Sequence, residues 1–414
     1  MACYLLGHPL GQSFAAELFT FLGCPDYRLH EITTGRELDD FVKRGDYEGL
    51  SVTLPFKHRT ARLMDRLTRR ARETGTVNTV VRTRDGRLLG DNTDVTGIGR
   101  MFSDIGADPS DRSVLILGSG GAARSAAWYA REHGARTVRF VSRLGRINYD
   151  NVYELCGDAE LLINATPVGM YPAVDQRPLD LARFQALRGV MDCVYNPLRT
   201  LLVQQAHGLG IPAAGGLRML TETAAQSQEL FFGRGIDQPA RQAAFREMAR
   251  SRLNVVLIGL PGCGKTTIGE IVARSLGRPF FDTDRMVVSD SGMEIPEIYE
   301  RFGESGFSDR EKQAVRLASV HSGAVIAVGS GAPLSQENVQ ALRLNGRVYW
   351  IERHGLIGRA EEAPLTGSAR VLRRMLSDRA PSYQRLADCH IDNERSPASC
   401  AQAIMDDLNS GLLV

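Results

Sequence analysis

The stretch from Asn254 to Asp284, NVVLIGLPGCGKTTIGEIVARSLGRPFFDTD, constrains the fold more than any other part of the chain. The apolar run Asn254 to Ile258 predicts a strand. It leads straight into Gly259-Leu-Pro-Gly262-Cys263-Gly264-Lys265-Thr266-Thr267 and then a helix-forming segment. Strand, glycine-rich loop and helix in that order make a phosphate-binding P-loop. The glycines let the backbone curl until several N–H groups face one anion, and the helix N-terminus adds about half a positive charge at the same spot. In such a loop Lys265 reaches the terminal phosphates and the Thr266 hydroxyl holds magnesium. A simple packing turn explains a glycine-rich loop in general, but not this full pattern in this context.

At 414 residues the chain is too long for one ordinary domain. P-loop folds begin just before their first strand, which places a compact α/β domain at 253–414. Upstream, the polar stretch Gly233 to Arg252 reads as a last helix plus a short linker, the linker at 241–252. The remaining residues suffice for two lobes, drawn at 1–100 and 101–240, with the last helix of the second returning to the first. That second lobe carries another phosphate turn. Val114 to Leu117 predict a strand, followed by Gly118-Ser119-Gly120-Gly121-Ala122 and an Ala-rich helix, a Rossmann-like arrangement. The next strand pattern, TVRFVSR, ends at Ser142 and Arg143. A carboxylate there would bind a ribose hydroxyl, whereas an arginine suits a 2′-phosphate and so NADP over NAD. Helix packing alone also accounts for Gly-x-Gly-Gly, and a surface role for Arg143.

Bulk properties narrow the partners. Fifty Lys and Arg against 48 Asp and Glu leave a net charge of +2, which argues against a general nucleic-acid or anionic-membrane surface. No apolar run reaches the ~18 residues of a membrane span, and MACYLLGHPLG lacks the basic segment and long apolar core of a signal peptide. Seven scattered cysteines without Cys-x-x-Cys spacing predict neither a disulfide framework nor a zinc site. These points together predict a cytoplasmic protein. Nothing in the sequence bears on oligomeric state.

The first ~235 residues resemble shikimate dehydrogenase, on GHPLGQS (7–13), LSVTLPFKH (50–58), GTVNTV (75–80), GDNTDVTG (90–97), GSGGAAR (118–124), INATPVGM (163–170), VYNPLRT (194–200) and GGLRML (215–220). The resemblance implies a two-lobed α/β unit with a Rossmann-like NADP lobe, reducing 3-dehydroshikimate to shikimate. The short segment between Arg143 and Asn164 suggests a trimmed nucleotide lobe. Hydride delivery to a ketone leaves an alkoxide that needs a proton, and a lysine paired with a carboxylate can hold the oxygen and supply it. Lys57 and Asp94, in loop-like punctuation after strand patterns, match the family's catalytic pair; unaided, they read as a surface lysine and a capping aspartate. Ser13, Thr53, Asn78 and Tyr195 match substrate-contacting positions, though Asn78 also fits a turn and Tyr195 a core aromatic. Two positions depart. Only the first serine of the family's first motif survives, with Ala15 where the second would stand. Thr223 replaces a glutamine that grips a substrate hydroxyl, with Gln226 one turn later.

Residues 253–414 resemble shikimate kinase, a P-loop α/β fold with a parallel sheet. Beyond the P-loop the resemblance rests on FFDTD (280–284), IPEIYERFGESGF (295–307), Glu311, AVGSGAPL (327–334), YWI (349–351) and DRAPSY (378–383). It implies transfer of the ATP γ-phosphoryl group to the 3-hydroxyl of shikimate. Asp284 would position that hydroxyl, Asp282 would act on Mg2+ through water beside Thr266, and Arg379 would grip the carboxylate. An arginine expected after Phe307 is Ser308, the Gly-Gly-Gly loop reads Gly329-Ser330-Gly331, and the lid motif reads Ala363-Pro364-Leu365-Thr366 with Arg359 nearby. Arg310 does not replace the missing arginine on a helix, because two residues turn the side chain by about 200°. The leading expectation is a bifunctional enzyme of two consecutive steps. The alternatives are a partly degenerate fusion with a nucleotide-binding or scaffolding role, or an active pair with an altered substrate such as quinate.

Overall fold

The computed structural model describes residues 2–11, 13–353 and 369–410, without the side chains of 369–372. The chain divides into two units, Met1–Met248 and Ala249–Val414. No described helix is long and apolar enough to cross a membrane.

The first unit contains two sheets. Strands β1 (Cys3–Gly7), β2 (Tyr27–Glu31), β3 (Gly49–Val52), β4 (Arg66–Leu67), β5 (Thr79–Arg82) and β6 (Leu88–Asp91) form a mixed sheet in the order β2-β1-β3-β5-β6-β4. Strands β7 (Ser113–Leu117), β8 (Thr137–Val141), β9 (Leu161–Asn164), β10 (Gly189–Asp192) and β11 (Ala213–Ala214) form an all-parallel sheet in the order β11-β10-β9-β7-β8. Every residue of β7 is buried, as a strand covered on both faces requires. The chain leaves β7 for β8 on one side and returns to β9 on the other, so a topological switch point opens at the C-terminal ends of β7 and β9. The connection from β8 to β9 carries only the short helix Val152–Cys156, the compact form that the short segment after Arg143 suggested. Helix Gly216–Phe232 returns to the first lobe and packs on helices Ala15–Phe21 and Asp94–Asp104 and on β3 and β5.

The expected linker 241–252 is not extended. It lies within the helix Gln238–Arg252. Pro239 is tolerated because a proline in the first helical turn sacrifices no hydrogen bond. The charges that suggested solvent exposure are partly used: Arg241 is buried and pairs with Glu222 at 2.9 Å and Glu229 at 2.6 Å. The boundary between the units falls inside this helix.

The second unit is built on β12 (Asn254–Ile258), β13 (Phe280–Asp282), β14 (Val325–Ala327), β15 (Gly346–Glu352) and β16 (Cys389–Asp392), all parallel, in the order β13-β14-β12-β15-β16. The central strand β12 is buried throughout. Its C-terminal end, with those of β13 and β14, delivers the P-loop, Asp282 and the Gly329 loop to one edge of the sheet.

Candidate active sites

Lys57 opens the short helix Lys57–Ala61 and Asp94 opens the helix Asp94–Asp104. Both therefore sit at helix N-termini rather than in the loops that the strand patterns suggested. Lys57 Nζ donates to Asp94 Oδ2 at 2.5 Å, with the two side chains 14% and 6% exposed. Asn78 Nδ2 donates to the other carboxylate oxygen at 2.8 Å, and Asn78 Oδ1 accepts from the Thr93 N–H at 2.8 Å. Both oxygens of Asp94 are thus held, which fixes the ammonium. The methylene stem of Lys57 lies against the nucleotide turn: a Cβ placed on Gly121 would be 3.1 Å from Lys57 Cδ.

The other expected substrate positions surround this pair unevenly. Ser13 Oγ accepts from the Ala15 N–H at 3.2 Å, and Ala15 is the buried first residue of its helix. The Thr53 methyl packs over Gly7. Tyr195 is half-buried with its ring 5.1 Å from Phe14, and burial pushes its phenol upward in pKa. Thr223 Oγ1 donates to the Thr93 carbonyl at 3.5 Å. Gln226 does not stand in for the missing glutamine, because its amide donates to Glu229 at 3.1 Å, beside Arg241. The sequence reading missed Asn92 and Ser125. Asn92 Nδ2 donates to Thr74 at 2.9 Å and Thr76 at 2.8 Å, and Ser125 Oγ donates to Asn92 Oδ1 at 3.2 Å, tying the first lobe to helix Gly121–Glu132. Asn92 lay in full view inside GDNTDVTG; Ser125 carried no signal.

At the nucleotide turn Gly118 takes φ +103°, and a Cβ there would lie 3.0 Å from the Ala165 carbonyl after β9. Ser119 and Gly120 are exposed, and Gly121 and Ala122 begin the helix. A cavity of about 540 Å³ lined by Ser119, Arg124, Trp128, Arg131 and Phe140 lies beside the turn. Strand β8 stops at Val141, so Ser142 and Arg143 fall in the turn that follows rather than in the strand. Arg143 is exposed and makes no hydrogen bond or ion pair among the described residues.

In the second unit Gly259, Gly262 and Gly264 all take positive φ, and Lys265, Thr266 and Thr267 open the helix Lys265–Leu276. Cys263 is buried, and its carbonyl accepts from Asn393 Nδ2 at 2.8 Å. Lys265 Nζ donates to the Gly259 and Leu260 carbonyls, each at 3.0 Å. Thr266 Oγ1 donates to Asp282 Oδ2 at 2.7 Å, while Asp282 Oδ1 caps helix Thr283–Ser291 by accepting from the N–H groups of Asp284 and Arg285. Two oxygen ligands of the kind Mg2+ prefers therefore meet beside the loop. Burial first, then the charge of Asp282, raise the pKa of Asp284, with Lys265 opposing. Arg379 Nη1 donates to Ser330 Oγ at 2.6 Å, and Tyr383 Oη donates to the Ser330 carbonyl at 2.7 Å.

Comparisons with known proteins match each half of the chain. A family model for shikimate kinase matches residues 261–409, and one for the shikimate dehydrogenase substrate binding domain matches residues 5–80. The shikimate kinase of Symbiobacterium thermophilum is 40% identical over 153 residues, covering 34% of this chain and 88% of that protein. The shikimate dehydrogenase (NADP(+)) of Caldicellulosiruptor bescii is 31% identical over 224 residues, 49% of this chain and 77% of that protein. The chain belongs to both families. Among solved structures, the shikimate 5-dehydrogenase of Thermus thermophilus in complex with NADP(H) and shikimate matches with a TM-score of 0.53 and 29% identity, over 60% of this chain and 100% of that one. A shikimate dehydrogenase and a shikimate kinase in one chain make a bifunctional shikimate-pathway enzyme.

The kinase departures have structural consequences. Ser308 is half-buried on helix Ile295–Ser319. Arg310 is turned elsewhere: its guanidinium donates to the Gly306 carbonyl at 2.7 Å and lies 4.4 Å over the Phe302 ring. Ser330, which replaces a loop glycine, binds Arg379 directly. Ala363, with Pro364 to Thr366 and Arg359, lies outside the described residues, as does the side chain of Arg370.

Proposed function

We propose that the N-terminal unit reduces 3-dehydroshikimate to shikimate with NADPH and that the C-terminal unit phosphorylates the shikimate 3-hydroxyl with ATP and Mg2+. The observation that carries the reading is the buried Lys57–Asp94 pair, oriented by Asn78 and pressed against the Gly118–Gly121 turn. Bound NADPH supplies the hydride. Lys57 retains two N–H groups for the substrate oxygen, stabilises the charge that develops there and delivers a proton, while Asp94 and Asn78 hold it in place. In the kinase unit Lys265 and the loop N–H groups bind the phosphates, and Thr266 and Asp282 would hold Mg2+, which neutralises charge on the transferring group. Asp284 orients the acceptor hydroxyl and Arg379 its carboxylate. A reducing cytoplasmic setting suits the seven free thiols. Steady-state assay of the full chain tests this: NADP reduction with shikimate and with quinate, and ADP release with shikimate. Absence of both activities would overturn the reading; a preference for quinate would overturn its substrate.

Cofactor choice rests on Arg143, whose exposed guanidinium is available for a 2′-phosphate. Arg143→Ala is expected to erase most of the preference for NADP over NAD. Equal catalytic efficiency with both cofactors in the unmutated chain would remove the basis for this role.

With Ser308 in place of an arginine and Arg310 turned away, Arg379 is the one arginine assigned here to the acceptor carboxylate. The kinase is expected to show a high KM for shikimate beside an ordinary KM for ATP. A charge-assisted hydrogen bond contributes roughly 1.5–3 kcal/mol, so Ser308→Arg is expected to tighten shikimate about 10- to 100-fold. Saturation at low shikimate in the parent, with no gain in the variant, would show that other residues have taken over.

A further inference from the structure

We propose that Glu311 sets the charge selectivity of the kinase acceptor pocket, and that an anionic acceptor binds only while Glu311 carries a proton. The inference rests on the kinase reading above.

Glu311 stands on helix Ile295–Ser319, beyond its break at Gly303, and is only 6% exposed. It and Asp284 reach one point from two helices: a Cβ built on Gly329 would be 2.5 Å from Glu311 Oε1 and 2.6 Å from Asp284 Oδ1. Glu311 Oε1 is buried and has no hydrogen-bond partner among the described residues. A buried carboxylate oxygen without a donor is costly if ionised. Among the described residues, the groups whose charges bear on Glu311 are Asp284 on helix Thr283–Ser291, Arg379 on helix Ala369–Leu386 and Tyr299 on the first limb of its own helix. Two carboxylates thus face one guanidinium, and that guanidinium is already donating to Ser330. Burial, then the Asp284 charge, push Glu311 up to about 7, against the pull of Arg379. Below that pH Glu311 is a neutral hydrogen-bond donor and does not compete with an arriving carboxylate for the Arg379 charge. Above it, an arriving anion meets a second buried negative charge with no positive group at Ser308 to offset it.

The test is the affinity of the full chain for shikimate, measured by calorimetry between about pH 6 and about pH 8.5, where the shikimate carboxylate stays ionised. The dissociation constant is expected to rise roughly tenfold per pH unit above about 7, the slope of one required proton. Glu311→Gln keeps the shape and a donor without the charge. It is expected to flatten the profile to within about twofold and to bind more tightly than the parent at the alkaline end. Ser308→Arg supplies a counter-ion and is expected to flatten it as well, which covers a folding failure of the glutamine variant. A parent profile flat across this range, or a Glu311→Gln profile as steep as the parent's, overturns the inference and leaves the kinase assignment standing. No shikimate binding at any pH overturns the acceptor assignment itself and this inference with it.

Discussion

Lys57→Ala and Asp94→Ala are each expected to lower dehydrogenase turnover by about 10²–10⁴-fold, the usual contribution of a positioned acid–base group, while leaving NADPH affinity within a few-fold. The reason is geometric. The pair is joined at 2.5 Å and nearly excluded from water, so loss of either partner leaves the other as an uncompensated buried charge. Loss of Asp94 also frees the ammonium from its only carboxylate partner among the described residues. The turn proposed to bind the cofactor, by contrast, is shaped by backbone at Gly118 to Gly121. The one complication is the lysine stem, which lies against Gly121. Lys57→Met retains that apolar contact and separates it from the lost charge. Fluorescence titration of NADPH beside steady-state kcat decides the matter. A fall in cofactor affinity matching the fall in kcat, persisting in Lys57→Met, would place the pair in cofactor binding instead.

Gly259→Ala is expected to disable the kinase and spare the dehydrogenase. Gly259 has φ +147°, a region that L side chains rarely adopt, and an added Cβ would lie 2.3 Å from the Ile351 carbonyl. That carbonyl belongs to β15, which pairs with β12 over Gly346–Trp350 and with β16 at Ile351, so it cannot withdraw without disturbing the sheet. Backbone strain of about 1–3 kcal/mol and overpacking of about 1–3 kcal/mol add to roughly 2–6 kcal/mol. The loop N–H groups proposed to bind the phosphates would move with the strand end. ATP affinity is expected to drop by more than about tenfold and the melting temperature of the kinase unit to fall, with shikimate oxidation unchanged. Unaltered ATP binding and melting would mean that the loop relaxes around the methyl group.

The structure also shows why some positions resisted a reading of residues in order. The 241–252 segment looked like a linker because it is rich in charge and follows Pro239. It is helical because proline falls in the first turn and Arg241 finds two glutamates on another helix. Ser330 looked like an impaired glycine loop; its hydroxyl instead holds Arg379, 49 residues away. Gln226 looked like a substitute for the missing glutamine at 223, but one turn of helix aims it at Glu229.

What the amino-acid order determined by itself is everything built from consecutive residues. The two phosphate turns follow from glycines whose conformations are local, the central strands β7 and β12 from unbroken apolar runs, and the division into a dehydrogenase and a kinase from motifs that keep their order along the chain. What only the tertiary structure decided are the meetings across distance. Lys57 and Asp94 are 37 residues apart and meet because β3 and β6 lie in one sheet. Asp284 and Glu311 converge on Gly329 because β13 and β14 are neighbours and carry their helices to the same edge. Local sequence encodes the shape of each segment. Which charges then face each other, and which are left without a partner, depends on strand order and helix rotation, which no local stretch contains.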